Sequence, residues 1–66
     1  MNKSAGKKIQ ALRKERKETT KQLADAIGVA TQTIIKYECG IRNPSDKKKI
    51  LIAKHFKLSV GEIFYE

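Results

Sequence analysis

Residues 20–40 read TKQLADAIGVATQTIIKYECG. Leu23, Ala24 and Ile27 recur at helical spacing, Gly28 follows at once, and Val29 comes next. A second helical period carries Ile34 and Tyr37 and stops at Gly40. Glycine adopts φ > 0 without steric cost, so Gly28 suits a sharp reversal between two helices. Ala24 is small where those helices must cross closely. Ile27, Val29, Ile34 and Tyr37 would line the inside of the corner. The stretch predicts two short helices, 20–27 and 31–39, joined by a tight turn.

That arrangement is a helix-turn-helix, in which one helix braces a second whose outer side is free to enter a DNA major groove. Working outward, Thr19-x-x-Gln22 is a capping box that starts the first of the two helices. The expected N-cap of the second is Ala30, which has no side chain to offer. Either a shifted cap at Thr31 or water must satisfy the free N–H groups there. Upstream, Ser4 is a candidate N-cap for a helix over 5–16. Ala5, Ile9 and Leu12 form its apolar stripe, flanked by Arg13 and Arg16. Gly6 costs that helix some stability. Lys17-Glu18 then connects without glycine, so one of the two should sit at φ > 0.

Downstream, Ile41-Arg42-Asn43-Pro44 reads as a loop, because Pro44 disfavours helix at Asn43. Ser45 N-caps a fourth helix with Asp46 in its first turn. Ile50, Ile52, Ala53 and Phe56 should face the core, and the helix should end near Phe56. Ser59-x-x-Glu62 is a second capping box, with Leu58 and Ile63 as a hydrophobic staple, opening a last helix over 60–64. Five short helices and no period-2 run make the expected fold all-α, one domain over residues 1–66.

Fifteen Lys and Arg stand against seven Asp and Glu, a net charge of +8 in 66 residues. That balance points to a polyanionic partner, nucleic acid ahead of an anionic membrane surface. The lone Cys39 permits no internal disulfide, which fits a reducing cytosol and a cytoplasmic location. It has no Cys or His partner at metal-ligand spacing, so no metal and no cofactor is expected. MNKSAGKK lacks the apolar run of a signal peptide, and no apolar stretch is long enough to span a membrane. Cys39 and His55 are the only candidate nucleophilic pair, and no orienting acid lies at a recognisable spacing, so no enzyme is expected. The four dispersed glycines form no phosphate-cradling loop. His55 reads as a surface or half-buried residue, and Lys47–Lys49 as a solvated face.

Taken together, KKIQALRKER, TTKQLADAIGVATQTIIKYECGIRNPS and AKHFKLSVGEIF resemble the lambda-repressor-like, Cro and XRE-type helix-turn-helix regulators over about Ala5 to Phe64. The resemblance implies a five-helix DNA-binding fold with residues 31–39 as the recognition helix. Thr31, Gln32 and Lys36 would then face base edges. Gln bonds adenine N6 and N7 together, a Thr methyl suits the thymine methyl, and Lys reaches a guanine acceptor or a phosphate. Thr19, Thr20 and Lys21 would hold a phosphate at the N-terminus of the second helix. Thr33, Arg42 and Asn43 would contact the DNA backbone too. Arg13 and Glu38 would form an ion pair between the first and third helices. The chain departs from the family at Thr20, where Gln is frequent, at Lys17 and Lys57, where Gly is frequent, and at Glu18, Asp46 and Lys49, where apolar residues are frequent.

The reading is a double-stranded DNA-binding transcription regulator, a repressor of phage, mobile-element or bacterial origin. A homodimer on a palindromic operator follows, with half-sites roughly 34 Å apart. Leu51 and the Leu58–Tyr65 end are candidate dimer contacts, and Ile35 a candidate contact to thymine methyls. A protein antagonist is a possible partner. The alternative is a protein-binding antirepressor or the antitoxin of a toxin pair on the same fold. A membrane-surface peptide is disfavoured by two capping boxes and a corner glycine, and an RNA role by only four scattered aromatics.

Overall fold

A computed structural model describes residues 3–65, with the main chain alone for residues 3 and 4. Five helices follow in order: α1 (Lys3–Glu15), α2 (Thr20–Ile27), α3 (Thr31–Cys39), α4 (Asp46–Phe56) and α5 (Val60–Phe64). The described residues contain no strand. The capping boxes set two starts. Thr19 Oγ1 accepts from Gln22 N at 3.0 Å while Gln22 Oε1 accepts from Thr19 N at 2.8 Å. Ser59 and Glu62 exchange the same two bonds at 3.1 and 3.0 Å. Ser45 Oγ accepts from Lys48 N and starts α4. Ser4 does not cap α1, because α1 already includes it; nothing in the residues around it breaks a helix.

α1 and α2 both pack on α3, while α4 packs on α2 and α5 closes against α1 and α4. Each helix contributes its apolar stripe: Ala5 and Ile9, then Leu23, Ala24 and Ile27, then Ile34 and Tyr37, then Ile52, Ala53 and Phe56, then Ile63 and Phe64. Leu12, Val29, Leu58 and Val60 pack against this cluster from its edge. Ile50 is not part of it and stays 53% exposed. Counting 3.6 residues per turn, Ile50 lies roughly 110° from the centre of the face made by Ile52, Ala53 and Phe56.

Gly6 is the point where α1 touches α3. A Cβ there would lie 2.5 Å from the Tyr37 carbonyl oxygen and 2.7 Å from that of Glu38. The glycine thus sets the crossing distance, which outweighs its poor helix propensity. Lys17 and Lys57 hold left-handed conformations, with φ of 58° and 59°. They close α1 and α4 where a glycine would be unstrained.

Glu18 and His55 meet across the core's edge. His55 Nε2 lies 2.8 and 3.0 Å from the two Glu18 carboxylate oxygens. Arg16 Nη1 donates to the His55 carbonyl at 2.7 Å, and its guanidinium sits 5.4 Å from the Phe56 ring centroid. The polar Glu18 therefore keeps a partner where an apolar contact was expected to be lost. On the other side of α4, Lys49 Nζ donates to Tyr65 Oη at 3.0 Å and lies over the Phe64 and Tyr65 rings. Its stem covers apolar surface, and its ammonium remains at the edge of the molecule.

Candidate nucleic-acid interface

The α2–α3 corner depends on one left-handed residue. Gly28 has φ 83° and ψ 35°, and its N–H returns to the Ala24 carbonyl at 2.8 Å. Gly40 closes α3 in the same way at φ 76°. Between them α3 begins without help. Ala30 is its N-cap and makes no side-chain bond. Thr33 N and Ile34 N both turn back to the Ala30 carbonyl, at 2.9 and 3.4 Å. The Thr31 and Gln32 N–H groups precede any helical acceptor and open outward from the helix end.

Arg13 and Glu38 fasten α3 to α1. Arg13 Nε donates to Glu38 Oε2 at 2.7 Å and Nη2 to Oε1 at 3.3 Å, while Nη1 donates to the Glu18 carbonyl at 2.7 Å. The side chains are 11% and 6% exposed. One guanidinium fork thus joins α1, α3 and the α1–α2 connection, as its planar donor set allows.

On the outer side of α3, Gln32 and Lys36 are exposed and one turn apart, so they share a face. Thr31 and Thr33 are half-buried and flank that face. Ile35 is 38% exposed. At the start of α2, Thr19 and Lys21 are exposed and Thr20 is half-buried. The Thr19 hydroxyl accepts the cap bond and keeps its proton for another acceptor. Lys21 Nζ is 3.1 Å from Asp25, in an exposed pair of little energetic weight. Arg42 and Asn43 are exposed in the loop after α3, between a turn closed by the Ile41 and Arg42 N–H groups on the Lys36 carbonyl and the buried Pro44.

A groove of about 540 Å³ runs between α1, the start of α2 and α3. It brings Thr20 together with Lys7, Gln10, Ile35 and Cys39, beside the Arg13–Glu38 pair. Lys7 and Gln10 were not singled out from the sequence. Their signal was present: residues 7, 10 and 13 recur every three positions, so Lys7 and Gln10 share the side of α1 that carries Arg13. The acids near this surface are matched, Asp25 by Lys21 and Glu38 by Arg13, so Lys7, Lys36 and Arg42 leave it positive. The described residues hold no group of three His, Cys, Asp or Glu able to bind a metal ion. Cys39 is exposed as a free thiol. No helix among the described residues is long and apolar enough to cross a membrane.

Comparison with known proteins places this geometry. The helix-turn-helix family model matches residues 9–63. No curated protein matches the sequence. Among solved structures, the chain is similar to SinR, the master regulator for biofilm formation, in complex with DNA: 27% identity and a TM-score of 0.80, over 89% of this chain and 95% of that one. It is similar to the SinR–SinI protein complex at 27% identity and a TM-score of 0.83, over 92% of this chain and 60% of that one. The restriction-modification controller protein C.AhdI from Aeromonas hydrophila shares the fold at 23% identity and a TM-score of 0.84, over 92% of each chain. With its central corner, its five helices and a family match reaching from α1 into α5, the chain belongs to the XRE-type, lambda-repressor-like helix-turn-helix family.

Proposed function

We infer that this protein is a transcription regulator that binds double-stranded DNA with α3 in the major groove. The observation that carries the reading is the exposed Gln32–Lys36 face on a helix held from behind by the Arg13–Glu38 fork. Gln32 reads an adenine edge, Thr31 offers its methyl to a thymine, and Lys36 reaches a guanine acceptor. Thr19, Thr20, Lys21, Thr33, Arg42 and Asn43 grip phosphates, and Lys7 and Gln10 extend that grip along α1. Net charge supplies much of the affinity, so log K falls as salt rises.

The finer reading is a cytoplasmic repressor, the chain acting as one DNA-binding domain without catalysis. It acts as a homodimer on a palindromic operator, because one module of this size reads few base pairs. A protein antagonist fits the same reading, since SinR has been solved with SinI. Selection of duplexes from a random pool, with the mass in solution measured alongside, tests it. The expected result is a palindromic motif bound by a dimer. Gln32→Ala should cost about 1–3 kcal/mol and relax one base position, whereas Arg42→Ala should weaken all sequences alike and reduce the salt slope by about one. Equal losses on specific and random DNA for Gln32→Ala would overturn the assignment of that residue.

A further inference from the structure

A second depression lies on the other side of α1. It measures about 270 Å³ between α1 and α5 and is lined by Ala11, Leu12, Leu58 and Ile63, with Lys8, Glu15 and Glu62 also on its walls. Its volume falls just under the range of about 300–1,000 Å³ of small-molecule sites, which suits one or two inserted side chains better than a cofactor. Leu12 and Leu58 are only half-buried, so their apolar surface is open to a visitor.

The charge around it runs against the rest of the molecule. Two carboxylates face one ammonium, in a chain of net charge +8. That ammonium, Lys8 Nζ, donates to the Glu62 carbonyl at 3.2 Å. The bonds from Ser59 hold the Glu62 carboxyl below its ordinary pKa, so it stays ionised. Glu15 has no cation partner among the described residues. On a helical wheel Lys8 and Glu15 lie roughly 140–160° from Gln10 and Arg13, with Ala11 and Lys7 at the border between the two sides. An occupant here leaves the α3 groove open.

We propose that the α1–α5 cleft is a docking site for a basic amphipathic segment of a partner protein. The segment inserts leucine-like side chains between Leu12 and Leu58 and sets Lys or Arg against Glu15 and Glu62. Charge complementarity selects this occupant over an acidic one. The inference stands apart from DNA binding, and its test contains no DNA.

The test titrates the isotope-labelled chain with three synthetic helical peptides. One carries two leucines one turn apart flanked by arginines, the second has glutamates for the arginines, and the third has alanines for the leucines. The first peptide should shift the amides of Ala11, Leu12, Leu58 and Ile63 with half-saturation near or below about 1 mM. It should bind at least about tenfold more tightly than the other two, a difference well within what two charge pairs and two buried side chains supply. Glu15→Lys should weaken it by about tenfold, because it sets a like charge against the segment's arginines; the exposed last turn of α1 accepts that cation without loss of folding. An unchanged thermal midpoint of that variant checks this. Equal binding of the three peptides, shifts confined to other helices, or no shift at several times that concentration would each overturn the proposal. So would shifts of the same four amides on concentrating the chain alone, which would make the cleft a contact between copies.

Discussion

Removing the Glu38 carboxylate strands the guanidinium of Arg13. Both side chains are nearly buried, at 11% and 6% exposure, and loss of one member of a buried pair costs about 3–5 kcal/mol. Arg13 keeps its Nη1 bond to the Glu18 carbonyl, so the lower end applies, about 3 kcal/mol for Glu38→Ala. A chain of 66 residues has a total stability of roughly 3–10 kcal/mol. The variant should therefore melt lower by about 12–24 °C, at roughly 4–8 °C per kcal/mol. Replacing both partners, as in Arg13→Met with Glu38→Met, removes the stranded charge and should cost less than Glu38→Ala alone. Thermal melting and urea unfolding, both followed by far-UV circular dichroism, measure Glu38→Ala, the single variants Arg13→Met and Glu38→Met, and the double variant against the parent chain. The reasoning fails if the double variant loses the sum of the two single losses, because the pair would then be uncoupled.

Gly6→Ala should destabilise by about 1–3 kcal/mol, the penalty of overpacking, despite the better helix propensity of alanine; a rise in thermal midpoint would show that α1 slides freely on α3. Glu18→Gln leaves an acceptor for His55 and should be mild, whereas Glu18→Leu removes it and should cost about 1 kcal/mol or more, read by urea unfolding. The Glu62 carboxyl should titrate below its ordinary 4.5, chiefly because the Ser59 main-chain N–H bonds it and then because the Ser59 hydroxyl takes part. A carboxyl lowered on folding stabilises above its unfolded pKa, and the gain is lost as pH falls through the folded one. Ser59→Ala should move the Glu62 titration upward, as followed by carboxyl chemical shifts.

What could be read from the sequence was local. Thr19–Gln22 and Ser59–Glu62 announce helix starts because both partners lie within four residues. Gly28 announces the corner because its φ is its own. The site follows as far as helical periodicity carries it: Gln32 and Lys36 share a face whatever packs behind them. The pairing of Glu18 with His55, 37 positions apart, has no periodic signal and needs the packed structure. Gly6 looked like a weak helix residue because its reason lies on α3. Ile50 was placed in the core by apolarity alone, although its position on the wheel of α4 turns it outward. The α1 contribution to the groove needed the crossing of α1 on α3, which only packing supplies.

Lys17 and Lys57 occupy positions that glycine would fill without strain. Each left-handed lysine forgoes about 1 kcal/mol or more of stability. Glycine at both would recover that and lower the net charge from +8 to +6. Thermostability and electrostatic reach thus pull in opposite directions at these two helix ends. A regulator engineered for robustness there would find its target more slowly at low ionic strength, because the long-range attraction that speeds encounter scales with the charge given up and is screened out as salt rises.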